Sequence, residues 1–389
     1  TYENEPFDPG SLPHNLIQTM YMDEDGHTIW IGTYGGLARF DSRTGVFSSW
    51  RHDKSDPASL ANDVVVSIAR DASGRLWVGT LDGLDRMDDD GKGFRHFRTR
   101  PDQAGSLAAN AIRSLFKDSR GDFWVGTGGG GLCRYLPATD SFEKIRVDPA
   151  RPDGMQSDHV FSIKEDSEGA LWLGLWNFGV SKFEPGSGRF TNYRLDDGRV
   201  YFINADEKGI VRAGTWGGGL FELFTETGTI RRHRSDSDRT WSLPHDTMYS
   251  MLVDRDGNPW IGTNGGGFSL LSRDSDAYTI FEYDPKDPAS RSSGKTISVL
   301  EDSKGRLWIG AYNNGLDRLD PGAEGFRHYR FDARDPRSLP NDIVVKLYED
   351  SRGNLWAMTN RGLARYDEES DSFERFLHDP ANPDSIADE

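Results

Sequence analysis

The stretch Gly74-Arg75-Leu76-Trp77-Val78-Gly79-Thr80 constrains this chain more than any other feature, because it returns along the whole length. Versions stand at Trp30-Ile31-Gly32-Thr33, Trp124-Val125-Gly126-Thr127, Trp172-Leu173-Gly174, Trp260-Ile261-Gly262-Thr263, Trp308-Ile309-Gly310 and Trp356-Ala357-Met358-Thr359. A degenerate copy, Arg212-Ala213-Gly214-Thr215, lies between the fourth and the sixth. The eight copies are spaced by 47, 47, 48, 40, 48, 48 and 48 residues. A period of this size belongs to propellers and other arrays, in which one unit cannot bury its apolar face alone and must stack on its neighbours.

Each unit reads as strand after strand. In the second, Val64 to Ala69, Arg75 to Thr80, Leu84 to Met87 and Phe94 to Arg98 are short runs rich in Val, Ile, Leu and aromatics, bounded by Gly and Asp turns. No segment carries an apolar stripe at helical spacing over three turns, which excludes a helical solenoid. The expected fold is all-β: a β-propeller of four-stranded antiparallel blades, eight in number, with seven blades plus one extra repeat as the alternative. The chain is expected to be a single domain over 1–389, with blades at about 15–52, 62–99, 110–147, 158–194, 200–234, 246–283, 295–331 and 341–378. Residues Thr1 to Asn15 and Asp379 to Glu389 read as copies of the connector Asp335-Pro336-Arg337-Ser338-Leu339-Pro340-Asn341.

Composition bounds the core and the partners. Hydrophobic residues are only 35% of the chain while Phe, Trp and Tyr are 12%, so a few large rings per unit must supply the buried surface. A net charge of −17 opposes binding to nucleic acid or anionic lipid. Cys133 is the single cysteine, which excludes internal disulfides and cysteine metal clusters. The residues hold no apolar run of about eighteen, and no basic-then-apolar leader at Thr1; a longer precursor would carry either.

The recurring Asp-x-x-Gly (Asp71/Gly74, Asp118/Gly121, Asp302/Gly305 and others) suits a turn in which Asp bonds its own amides and Gly takes the left-handed conformation. Asp23-Glu24-Asp25-Gly26 and Asp254-Arg255-Asp256-Gly257 invite comparison with calcium loops, but neither has the Glu that completes a twelve-residue loop. The repeated Trp is expected to fill the wedge between blades, and the Gly after it to admit close backbone approach.

The pattern Asn341-Asp342-x-Val344-x-x-Leu347, Asp350-x-x-Gly353-x-Leu355-Trp356, Thr359-x-x-Gly362-Leu363-x-Arg365-Tyr366-Asp367 resembles the two-component regulator propeller repeat, and recurs as Asn62 to Asp88. The resemblance implies an extracytoplasmic sensor of bacterial histidine kinases, hybrid two-component regulators or diguanylate cyclases, with glycans as ligands in one branch. Such sensors commonly carry two seven-bladed propellers and an immunoglobulin-like module; this sequence differs in its eight copies and in holding no such module, membrane helix or output domain. The implied function is that of a non-catalytic, ligand-binding sensor domain. A protein-interaction platform and a propeller lyase or hydrolase are the alternatives.

On a blade of strands a to d, counted outward from the axis, the b–c loops and d–a connectors share one face. Those loops vary, and variability marks a working face. The expected ligand-binding residues are Tyr34, Trp176, Asn177, Trp216, Asn264, Tyr312, Asn313 and Arg361: rings for the C–H faces of a sugar, amides for its hydroxyls. The link Leu195 to Arg199 lacks the long connector and is expected to leave a notch between Trp176 and Trp216; the plainer alternative is that both indoles brace adjacent loops. Trp241 is expected to anchor its own connector. His14, His159 and His245 lie near inner-strand starts, but the first and last share a connector position, so no metal site is assigned; no catalytic residue and no cofactor are assigned either. The expected partners are a small-molecule or oligosaccharide ligand and an attached signalling module, without nucleic acid; a homodimer stays open.

Overall fold

In the computed structural model the described residues are 17–44, 46–206, 209–236, 242–254, 257–264, 267–271, 278–281, 283–323, 325–350 and 352–376. The terminal connector copies, His14, Asp256 and Trp241 therefore lie outside them. The described residues contain eight four-stranded antiparallel sheets, each a meander in chain order, and no helix. The strands of successive blades span 17–50, 65–97, 112–145, 160–194, 200–233, 248–281, 296–329 and 344–376. The ring is an eight-bladed propeller: side chains of the first blade (Ile29, Phe40, Phe47) and of the eighth (Trp356, Met358, Leu363) share one buried cluster. The seven-plus-one alternative falls, because no repeat is left outside the ring.

The second blade shows why the repeat folds as it does. Its strands are β5 (Val65–Arg70), β6 (Leu76–Thr80), β7 (Gly83–Met87) and β8 (Phe94–Phe97). Asp71, in the β5–β6 turn, accepts the backbone N–H groups of Ser73 at 2.9 Å and Arg75 at 3.1 Å through Oδ1. Its Oδ2 accepts the indole N–H of Trp77 at 2.9 Å. The same indole-to-carboxylate bond, between 2.8 and 3.1 Å, recurs in all seven blades that carry the Trp. The turn residue thus satisfies the one polar atom of a ring that is otherwise buried. The Oδ atoms of Asp23 and Asp254, in the calcium-like segments, are likewise occupied by Arg70 and Trp30, and by Asn258 and Trp260.

Each Trp also closes a seam. Trp77 lies against Tyr135 of the third blade (centroids 4.7 Å apart), and Arg86 of its own blade lies over the indole at 5.4 Å and donates to the Tyr135 hydroxyl at 2.8 Å. Trp124 with Phe183 and Trp308 with Tyr366 repeat the ring contact. Truncating such a ring costs about 3–5 kcal/mol. In the second blade the Gly after the Trp leaves no room for a side chain, since a Cβ on Gly79 would stand 2.5 Å from Cγ2 of Ile112 on the neighbouring inner strand; the eighth blade departs from this and buries Met358 at the same position.

Most blades are joined by residues in the pattern of 51–64. There Ser59 Oγ accepts the Asp53 N–H at 2.8 Å and donates back to the Asp53 carbonyl at 3.0 Å, which stiffens the loop. Blades four and five are joined by residues 195–199 alone.

Candidate functional site

The inner strands are β1 (Ile17–Met22), β5, β9 (Ile112–Lys117), β13 (Val160–Glu165), β17 (Val200–Ala205), β21 (Met248–Val253), β25 (Thr296–Glu301) and β29 (Val344–Glu349). Every one of them breaks register with its partner at its second residue. An extra residue in one strand bends it and re-aims a side chain. Repeated eight times, the bulge sets a ring of residues around one mouth of the axial channel: Gln18, Val66, Arg113, Phe161, Tyr201, Tyr249, Ile297 and Val345.

The b–c loop tips stand over this ring. In blade two Thr80 Oγ1 donates to the Gly83 carbonyl at 2.8 Å and accepts the Asp82 N–H at 3.2 Å, so the tip is tied across its base. The first tip residue then donates its N–H to the residue preceding its own inner strand, as Trp176 does to His159 (3.0 Å), Trp216 to Arg199 (3.0 Å) and Tyr312 to Lys295 (3.1 Å). Glycines of several tips donate to the connector of the next blade, as Gly217 and Gly219 do to Asp246. A tip held on both sides presents its side chain in one place.

Trp176 stacks on the bulge residue Phe161 with ring centroids 4.8 Å apart and planes inclined by 22°. The guanidinium of Arg113 lies over Phe161 at 4.9 Å. It does so because the tip of its own blade begins with Gly128, where a Cβ would come within 3.1 Å of Arg113 Nε. Trp216 is flanked by Tyr201 at 5.8 Å and by Tyr249 of the next blade at 5.7 Å. Lys295 lies over Tyr312 at 5.3 Å. An arc of rings with two cations therefore runs along blades three to seven, with Tyr201 and Trp216 still about 40% accessible. Desolvation first, and then the nearness of Tyr249 and Tyr34, raise the Tyr201 hydroxyl pKa, against Arg113. Tyr34 stands on the tip of the first blade and Tyr201 in the bulge ring of the fifth, so a tip and a bulge residue of blades on opposite sides of the ring feel one another across the mouth.

The eight residues singled out from the sequence all stand on this face. Tyr34, Asn177, Trp216, Tyr312, Asn313 and Arg361 are exposed, and Trp176 and Asn264 are half-buried. Local structure already explains two of them. Asn177 has φ of 69°, a left-handed turn position that Asn tolerates, and Asn264 bridges Lys295 of the next blade. The short link between blades four and five is not empty space, because Gly198 packs on the Phe178 backbone and accepts its N–H at 3.3 Å. His245 Nδ1 accepts the Thr247 N–H at 2.9 Å, a turn role.

Grooves also open at the rim, such as one of about 470 Å³ lined by Trp124, Arg134, Arg146 and Phe183. In this one Arg134 pairs with Asp122 at 2.8 Å and Arg146 with Asp158 at 3.6 Å.

Residues 11–35, 59–82, 106–129, 154–177, 242–265, 290–313 and 338–361 match the model of the two component regulator propeller. The chain belongs to that family. The unmatched unit of this two component regulator propeller is the fifth blade, and its structure shows the reason. Arg212 stands where the Trp belongs and bonds the turn carboxylate of Asp206 at 2.8 Å in the indole's stead. Similar solved structures include the extracellular domain of the hybrid two component system BT3049 from B. thetaiotaomicron, at 24% identity and a TM-score of 0.59 over 78% of this chain. That of the one component system BT4673 from the same organism matches at 24% and 0.52 over 94%. The chain spans 40% and 48% of the length of those two domains. The computationally designed Ika8 protein matches at 14% identity and a TM-score of 0.61, over 92% of this chain and 98% of its own. At these identities the likeness is one of fold. No curated protein matches the chain.

Sequence reasoning missed Arg113, Phe161, Tyr201 and Tyr249. Their signal was present: each follows the apolar residue that opens an inner strand, where alternation alone leaves the direction of the side chain open until the bulge is known.

Proposed function

We propose that this propeller is a non-catalytic sensor that binds a carbohydrate at the axial mouth, in the extracytoplasmic space of a bacterium, and passes occupancy to an attached output module. The observation that carries the reading is the pair of tip indoles, Trp176 and Trp216. Both are locked by backbone bonds on one face and flanked by the bulge-ring aromatics Phe161, Tyr201 and Tyr249. Rigid rings on a pre-formed surface lose little entropy when a sugar packs on them. For a signal to follow, the ligand must favour one arrangement of the propeller relative to the module it joins, since equal affinity for both shifts nothing.

The test is calorimetric titration with neutral and acidic oligosaccharides, on the native chain and on Trp176→Ala/Trp216→Ala. Binding that disappears in the double variant, with no product released from the bound sugar, supports the reading. Affinity unchanged by the double substitution removes the site, and cleavage of the oligosaccharide removes the non-catalytic role.

A further inference from the structure

The cations around the mouth are distributed differently from its carboxylates. The Asp residues of this face are engaged: Asp197 with Arg199 at 2.7 Å, Asp246 with Arg234 at 3.1 Å and the Ser235 N–H at 2.7 Å, and Asp82 with Arg98 at 3.3 Å and Asn110 at 3.0 Å. Asp342 and Asp63 accept the backbone N–H groups of Phe331 and His52. Arg113 and Lys295, by contrast, meet only aromatic rings, and among the described residues no carboxylate lies within ion-pair distance of either.

A third cation stands deeper. Lys346 follows the bulge of β29, at a position that six of the other seven inner strands fill with Thr19, Ser67, Ser114, Ser162, Ser250 or Ser298. Its side chain is exposed, whereas serines at this position reach into the seam with the next blade, Ser67 Oγ accepting the Leu115 N–H at 3.0 Å and Ser162 Oγ that of Ile203 at 3.3 Å. Desolvation by the surrounding protein lowers its pKa, and no counter-charge opposes that effect. In a molecule of net charge −17, two cations without carboxylates beside one opening, with a lysine near them, are a local reversal of sign. Cations left unpaired beside an aromatic surface strengthen the hold on an anionic partner and steer its approach.

Resting on the carbohydrate reading, we infer that the ligand is an acidic oligosaccharide. Its pyranose rings lie on Trp216 and Tyr201, and its carboxylate or sulfate groups are received by Arg113 and Lys295 at the rim and by Lys346 where the chain dips into the channel. Uronates and sulfated sugars share this chemistry.

The experiment titrates the whole chain with tetragalacturonate, a sulfated heparin tetrasaccharide, and neutral cellotetraose and xylotetraose. Binding of either acidic sugar, weakened by added salt and lowered roughly ten-fold by Arg113→Gln/Lys295→Gln at unchanged melting temperature, is the expected result. Which acidic sugar binds separates uronate from sulfate, and Lys346→Gln reports whether the channel is entered. Binding of the neutral sugars alone, or acidic binding indifferent to salt and to the double substitution, overturns the inference and leaves the carbohydrate reading in place. Silence from all four sugars overturns both.

Discussion

Trp356 of the last blade meets Phe40 of the first edge-on, with ring centroids 5.6 Å apart and planes inclined by 78°. The seams inside the ring are made in the same way: Trp124 meets Phe183 at 5.7 Å and 82°. The ring therefore closes by the interaction that joins neighbours, and each of the two end blades keeps all four of its own strands. Phe40→Ala is expected to destabilise the propeller by about 3–5 kcal/mol, like a cavity in any core. Urea unfolding followed by tryptophan fluorescence checks it; an unchanged midpoint would mean that this contact carries no part of the closure.

The fifth blade replaces the seam ring by charge. Arg212 Nε donates to Glu222 Oε1 at 2.8 Å, and Glu222 Oε2 lies 3.0 Å from His233 Nε2, all three side chains being buried. Burial pushes the Glu222 carboxyl up, but the His233 hydrogen bond and the Arg212 charge outweigh it, and its pKa ends below the ordinary value. A depressed carboxylate contributes stability above its unfolded pKa of about 4.3 and loses it as pH falls through the folded value. Glu222→Gln leaves a buried guanidinium short of one counter-charge, which costs about 3 kcal/mol near neutrality. Urea midpoints of native and variant should converge as the buffer is acidified, and a gap that is the same at every pH refutes the account.

Two histidines give the opposite slope. His96 Nδ1 lies 2.7 Å from Asp85 Oδ1 in the second blade, and His328 Nδ1 lies 2.8 Å from Asp317 Oδ1 in the seventh. The hydrogen bond to the carboxylate raises both imidazoles, and burial raises Asp85. A raised histidine contributes stability that is complete below its unfolded pKa of about 6.5 and is lost as pH rises through the folded value. The raised Asp85 acts in the same sense. The melting temperature should fall as pH climbs from the unfolded histidine value into the alkaline range. The double variant His96→Ala/His328→Ala should flatten that slope, and a slope that survives it assigns the effect elsewhere.

The period, the strand pattern and the seven tryptophans made the blades and their number legible, because each is a local signal repeated in phase. The partner of the indole N–H was not, since Asp71 and Trp77 are joined by a turn whose direction the residues alone do not give. The bulge ring stayed hidden for a related reason: alternation assigns Phe161 and Tyr201 to a strand, and only register with the second strand turns them to the mouth. Trp176 and Trp216 were visible as the two indoles among tips that otherwise begin with Tyr34, Leu81, Gly128, Asn264, Tyr312 and Asn360. The pairing of His96 with Asp85 depends on register between the third and fourth strands, which a one-residue slip would abolish.

Arg291 is the plainest departure from the repeat in the core. The connectors place Leu60, Leu107, Leu243 or Leu339 at this point, each fully buried, and the seventh blade buries Arg291 to 1% exposure instead. Its Nη1 donates to Thr296 Oγ1 at 2.7 Å and its Nε faces Asp317 Oδ2 at 3.4 Å, beyond hydrogen-bond geometry. Nη2 has no partner either. Burial pulls the guanidinium pKa down, Asp317 opposing it. Such a pair gains little over an apolar replacement, because the desolvation of two ions offsets their attraction. The second blade supplies the control within the same molecule: Leu60 sits beside an equivalent pair, Asp85 with His96, and Asp85 Oδ2 accepts the Ala61 N–H at 2.8 Å as Asp317 accepts that of Ser292 at 3.0 Å. Arg291→Leu therefore removes the unpartnered donors while Asp317 keeps His328 and the Ser292 amide. The expected change is neutral to stabilising, by roughly 1–4 kcal/mol. Urea midpoints of native and variant decide it, and a loss of stability in Arg291→Leu would show that the guanidinium is held by something stronger than these contacts.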